Sequence, residues 1–171
     1  VTSGRNADGL IVVGIDPGIA NLGIGAVRQR GRDTEHLGSL LVRTRPNDPQ
    51  AARLKALYQG VDAFVERYHP GAMALEGQYF HRQREVAFKV GQAVGICLLV
   101  AAQREIPVYE YGPMQVKQAL VGSGRASKAQ VSYMVRALLR LSSTPESHHV
   151  ADALALALTH LSSYRVLGAG G

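Results

Sequence analysis

Apolar residues along this chain fall into two rhythms. Leu10-Ile11-Val12-Val13-Gly14-Ile15 and Ala72-Met73-Ala74-Leu75 are short uninterrupted runs, the pattern of strands covered on both faces. Leu22 to Val27 reads as a second strand after the turn at Pro17-Gly18. Leu37 to Val42 reads as a third, reached through a polar hairpin connection from Arg28 to Asp33. From about Gln50 to Tyr68, Leu54, Leu57, Val61, Phe64 and Val65 recur at helical spacing. A long and unusually apolar helix is expected from about Arg84 to Arg104. A fifth strand follows over Ile106 to Tyr111, with Pro107 marking an edge or a strand start. Pro113 to Leu120 predicts a short helix. Ser127 and Gln130 form a capping box that opens a helix to about Leu141, and Thr144-Pro145 supplies an N-cap and first-turn proline for a final helix through about His160.

Three antiparallel strands before any helix, then helices alternating with strands, predict an α/β fold: a mixed five-stranded sheet flanked by helices. One domain is expected over residues 10–163, after a polar tail at 1–9 and before a frayed, glycine-containing end at 164–171. A chain of 171 residues with 46% apolar content has room for a full core. Lys and Arg outnumber Asp and Glu by 19 to 13, a net charge of +6 that suits a polyanionic partner. Nucleic acid ranks ahead of membrane, because no basic amphipathic helix with bulky aromatic anchors is present. Lys89, Gly91, Gln92 and Gly95 interrupt Val86 to Ala102, which argues against a membrane span. No signal peptide is evident, so a cytoplasmic location is expected. The single cysteine, Cys97, cannot form an intramolecular disulfide and reads as a small core residue.

Four positions carry the candidate chemistry: Asp16, Glu76, His149 and Asp152. Asp16 and Glu76 each close a buried strand, and sites on such sheets gather at strand ends. His149 and Asp152 lie three apart and share a helix face. Each has a plainer reading on its own: a turn former before Pro17-Gly18, a loop edge before Gly77, a surface histidine, a solvated helix position. Asp152, however, is bracketed by Val150, Ala151, Ala153, Leu154, Ala155 and Leu156, where an unpaired carboxylate is costly. Together the four suit a metal-dependent phosphoryl-transfer site, since hard divalent cations favour oxygen ligands.

Gly14-Ile15-Asp16-Pro17-Gly18, Ala74-Leu75-Glu76-Gly77-Gln78-Tyr79-Phe80, Gln115-Val116-Lys117 and the run from Val150 to Ala157 occur in that order over Ile11 to His160. In this the chain resembles RuvC, the bacterial Holliday junction resolvase family. The resemblance implies a ribonuclease H-like fold, a homodimer, and two Mg²⁺ or Mn²⁺ ions per active site. It implies paired symmetric nicks across four-way junction DNA that leave 5′-phosphate ends. It also implies a branch-migration motor, RuvA and RuvB, as partner. The family's acidic residues fall on Asp16, Glu76 and Asp152. Asp16 is expected to bridge both ions, with Glu76 on one side and His149 and Asp152 on the other. His149 stands where many relatives carry a carboxylate, and imidazole is softer, which predicts a shift towards Mn²⁺. DNA contacts are assigned to Tyr79, Phe80, Arg82, Arg84, Lys117, Arg125 and Lys128. The resemblance gives Tyr79 the role of stacking on an unpaired base, whereas Phe80 serves equally as a loop anchor. Lys117 and Lys128 match basic residues near the family's cleavage site, and both also read as solvated helix lysines. The long apolar helix, with Phe88, Gly91, Gln92, Gly95, Leu98 and Leu99 on more than one face, fits a dimer contact or a central core helix equally. Two rivals stand beside this reading. One is an actin-like ATPase, which would need a second domain, and the other is a non-catalytic or RNA-processing relative that binds nucleic acid.

Overall fold

The computed structural model describes residues 9–77, 84–145 and 147–168. Its centre is a five-stranded sheet in the order β3-β2-β1-β4-β5. The strands are β1 (Leu10–Asp16), β2 (Asn21–Arg30), β3 (Asp33–Arg43), β4 (Ala72–Glu76) and β5 (Val108–Tyr111). β1, β2 and β3 pair antiparallel, while β4 and β5 continue the sheet in parallel with β1. This is the mixed sheet expected from the apolar runs. Both faces are covered, which is why β1 and β4 are apolar without alternation.

On one face lie α1 (Gln50–Tyr68) and α2 (Arg84–Gln103). Leu57, Val61, Phe64 and Val65 of α1 and Ala93, Val94, Cys97, Val100 and Ala101 of α2 meet Val13, Ile15, Ile24 and Leu75 in one core layer. On the other face lie α3 (Pro113–Val121), α4 (Lys128–Leu138) and α5 (His148–Gly168). Val150 and Leu154 to Leu158 of α5 pack there with Val12, Val27, Ala72 and Ala74. By length and composition alone α2 could cross a membrane, but its inner face belongs to the first core layer.

Several boundaries differ from the sequence expectation; β2 runs to Arg30 and β3 starts at Asp33, so most of the expected Arg28–Asp33 connection is paired strand. α4 stops at Leu138 rather than Leu141, because Arg140 turns left-handed (φ 51°) and Leu141 N–H donates back to the Arg136 carbonyl at 3.0 Å. Leu139 is then buried without extending the helix. Thr144-Pro145 does not open α5; the Ser147 hydroxyl accepts from Val150 N–H at 3.2 Å, and the helix begins one residue later. α5 also continues to Gly168, past the boundary drawn at 163, so residues 164–168 are helical rather than frayed. β5 starts at Val108, and Pro107, which has no N–H to give, contributes its carbonyl to Met73 N–H at 2.9 Å on this edge strand.

α5 lies almost backbone to backbone on β1 and β2. A methyl group at Gly14 would overlap the Ala153 carbonyl oxygen and stand 2.8 Å from Ala157 N. One at Gly23 would overlap the His149 carbonyl. Neither neighbour is a side-chain tip that can swing aside, so α5 itself must move. Gly14→Ala is therefore expected to destabilise by about 3 kcal/mol or more, the upper end of overpacking costs. Urea unfolding followed by circular dichroism measures this, and a loss below about 1 kcal/mol would contradict the tight seat.

Candidate active site

Asp16 and Glu76 are the last residues of two adjacent parallel strands. Ile15 pairs with Leu75 in the register, so the two acidic residues end neighbouring strands whose backbones lie about 4.8 Å apart. α5 crosses the same end of the sheet with His149 and Asp152 on the turn that faces them. His149 Nδ1 hydrogen-bonds Asp16 Oδ2 at 2.7 Å, and both side chains are largely covered, at 27% and 15% exposure. His148 stacks on the His149 ring with centroids 4.0 Å apart while remaining exposed.

Asp16, Glu76 and Asp152 open onto one cavity of about 190 Å³. α3 supplies Pro113, Val116 and Lys117 to its wall, and α4 supplies Lys128 and Val131. Local sequence explains both contributions. Pro113 sets the first turn of α3 directly after β5, with Gln115 Oε1 accepting from Gly112 N–H at 2.7 Å. The predicted Ser127–Gln130 capping box forms, with bonds of 2.8 and 3.2 Å, and fixes Lys128 as the first residue of α4. Val116, Val131 and Leu156 make the remainder of the cavity apolar.

The electrostatics follow from that mixture. Burial raises the Glu76 carboxyl above its ordinary range, and the charges of Asp16 and Asp152 raise it further, against the pull of Lys128. Asp152 is raised in the same way, by burial first and then by Asp16, and is opposed by Lys128, His148 and His149. Three carboxylates thus repel one another in a partly dry cleft, with two lysines as the facing cations. Among the described residues no three His, Cys, Asp or Glu side chains are gathered into a ready single-ion cage; the acids ring the cavity instead. Their oxygen-rich chemistry and mutual repulsion, only partly offset by Lys128 and the histidines, fit divalent cations.

Most of the sequence-selected residues meet. Asp16, Glu76, Asp152, Lys117 and Lys128 share the cavity, and His149 joins it through Asp16. Arg84 at the start of α2 and Arg125 before α4 are exposed and do not line it. Tyr79, Phe80 and Arg82 lie outside the described residues. The apolar wall escaped the sequence reading because Val116, Val131 and Leu156 carry only a core signature. His148 gave no signal beyond its place beside His149.

Relatives agree with this architecture. The family model described as Crossover junction endodeoxyribonuclease RuvC matches residues 12–160. Curated proteins of that name include one from Thermus thermophilus, 46% identical over 154 residues that cover 88% of this chain and 93% of that one. Another, from Edwardsiella ictaluri, is 43% identical over 150 residues, 88% of this chain and 86% of that one. A solved structure of T. thermophilus RuvC in complex with a Holliday junction substrate has a TM-score of 0.89 at 46% identity, covering 92% of this chain and 96% of the other. The yeast mitochondrial Holliday junction resolvase, at 14% identity and a TM-score of 0.66, shares the fold. With its matched strands, its acidic cavity and relatives that span nearly its whole length, the chain belongs to the RuvC family of crossover junction endodeoxyribonucleases.

Proposed function

We propose that this protein is a nuclease that resolves four-way DNA junctions by paired symmetric nicks, working as a homodimer in the cytoplasm. The observation that carries the reading is the meeting of Asp16, Glu76 and Asp152 in one cavity faced by Lys117 and Lys128. A relative of matching fold is solved in complex with a Holliday junction substrate. A non-catalytic, nucleic-acid-binding role is the weaker reading, because such a role gives no reason to keep three mutually repelling carboxylates.

Two divalent ions, Mg²⁺ or Mn²⁺, fit the chemistry of the donor set, and Asp16, Glu76, His149 and Asp152 would hold them. Bound there, they would supply Lewis-acid charge to the attacking water and to the departing 3′ oxygen, leaving 5′-phosphate ends. The protein's own groups do the rest. His149 orients Asp16 through Nδ1, so its second ring nitrogen, Nε2, remains as a donor site. Lys117 and Lys128 offer positive charge to the phosphate entering a cavity otherwise lined with acids. Arg84 and Arg125, both exposed, add charge for the flanking strand. Tyr79, Phe80 and Arg82 complete the proposed DNA contacts. The imidazole at 149 in place of a carboxylate favours Mn²⁺ over Mg²⁺.

The dimer is assigned to the outer face of α2. Arg84, Phe88, Gly91, Gly95, Leu98 and Ala102 alternate at spacings of four and three, and all are exposed. Phe88 is 68% exposed and Leu98 42%, and nothing stands within 4 Å of a methyl group at Gly91 or Gly95. Small residues between large ones admit a second copy of the same helix at close range, which matches a symmetric substrate. A branch-migration motor such as RuvA and RuvB is the further partner this role implies.

Three results test these assignments. Asp16→Asn is expected to lower nicking of a synthetic junction by on the order of 10³-fold or more while junction binding is retained; nicking near the wild-type rate would refute the site. Leu98→Glu should shift the protein to monomers in light scattering and replace paired nicks by single ones, whereas an intact dimer would displace the interface from α2. The third result concerns pH. The folded state holds protons on Glu76 and Asp152 more tightly than the unfolded chain does, so ionising these groups destabilises the metal-free fold as pH rises through their raised values. Glu76→Gln and Asp152→Asn should therefore raise the urea midpoint of the metal-free protein at neutral pH, and the gain should shrink on acidification towards the unfolded carboxylate range. A gain that grows on acidification would contradict the shifts.

A further inference from the structure

Two adjacent imidazoles lie ring on ring at the edge of the acidic cluster. His148 and His149 open α5, with centroids 4.0 Å apart and 37° between the ring planes. His148 is exposed, whereas the His149 side chain keeps only 27% of its surface in solvent. The outer ring therefore packs on the inner one from the solvent side.

The backbone beneath the pair is fixed. Ser147 Oγ accepts from Val150 N–H at 3.2 Å, and the Ser147 carbonyl accepts from Ala151 N–H at 3.1 Å. A methyl group at Gly23 would overlap the His149 carbonyl, so this turn is pressed onto β2. The His149 side chain has fewer restraints. Among the described residues its imidazole makes one hydrogen bond, between Nδ1 and Asp16 Oδ2 at 2.7 Å. A single hydrogen bond fixes one point of a ring and leaves its plane free to swing about that point. A flat group packed against the ring face supplies the missing restraint, and here that group is His148.

The direction of the Asp16 bond decides what the other ring nitrogen can do. A carboxylate accepts and does not donate, so the proton sits on Nδ1 and Nε2 keeps its lone pair. A ring with its plane fixed holds that lone pair in one direction. A swinging ring must be ordered first, and the ordering weakens whatever binds to it. His148 is also four residues from Asp152 on α5, so the outer ring stands on the helix side that carries the acidic site. Its own nitrogens make no hydrogen bond among the described residues, which leaves the ring face as its contact with His149.

We propose that His148 is a positioning residue: its ring clamps the His149 imidazole in the orientation set by Asp16 and so presents Nε2 ready to meet a divalent ion. The ion rests on the junction-nuclease reading, whereas the clamp belongs to the metal-free protein and is measurable there.

His148 is exposed, so His148→Ala and His148→Phe leave the core untouched. The first removes the stack; the second keeps a flat ring but no nitrogen. In metal-free protein with ¹⁵N-labelled histidine at mildly alkaline pH, imidazole nitrogen spectra should show His149 as one tautomer, protonated at Nδ1, in the wild type and in His148→Phe. In His148→Ala the two tautomers should mix. A single Nδ1-protonated tautomer in His148→Ala would overturn the clamp. Mn²⁺ affinity, read from the paramagnetic resonance of the free ion, should fall about tenfold in His148→Ala and stay within about twofold of wild type in His148→Phe. Equal losses in the two variants would overturn stacking as the cause. In a His149→Ala background, His148→Ala should cost no further affinity, and a further loss of about tenfold would show that His148 does not act through His149. Failure of the wild type to bind Mn²⁺ would instead sink the metal-site reading, and the imidazole spectra would still decide the clamp.

Discussion

Absence of side chains at Gly14 and Gly23 lets the last helix of the domain lie directly on the first two strands, with the Ala153 and His149 carbonyls where Cβ atoms would otherwise be. Everything chemical in the molecule depends on that contact. α5 brings Asp152 and His149 to the strand end that carries Asp16, and the 2.7 Å bond between His149 and Asp16 is possible only at this separation. Ala153 and Ala157, both buried against Gly14, keep the helix side of the seam equally thin. The glycines, which weaken a strand by propensity, are here the means of bringing two charged elements together.

The seat also sets the electrical character of the cleft. Strand ends and a helix first turn meet under apolar walls from α3, α4 and α5, so the carboxylates are partly dried while facing one another. Desolvation and mutual repulsion act in the same direction on Glu76 and Asp152. The cost falls on the fold at its acidic end, where ionising Glu76 and Asp152 is disfavoured. Lys117 and Lys128 come from separate helices, so the cleft keeps both signs of charge within reach of a phosphate.

Much of this is legible in the sequence. Apolar runs located β1 and β4, helical spacing located α1, and the Ser127–Gln130 pair located the start of α4, because each signal is local and backed by a specific bond or burial pattern. The misses were tertiary. Leu139 and Leu141 continue an apolar rhythm, but Arg136 and Arg140 fold the chain back, and periodicity alone does not reveal a left-handed residue. Thr144-Pro145 matches a helix start locally, yet the segment lines a cavity together with His36 and Ser39 of β3, and Ser147 takes over as cap.

The sequence by itself determined which residues could do chemistry: carboxylates set at the ends of apolar runs, a histidine one turn from the last of them, and a surplus of basic charge. Residue type and local spacing are properties of the chain and need no fold to be read. Tertiary structure alone decided that these groups share a cavity of about 190 Å³, that His149 binds Asp16, and that α2 leaves one apolar face outside. Distances between residues over a hundred positions apart, and the loss of water around them, exist only once the helices have settled on the sheet.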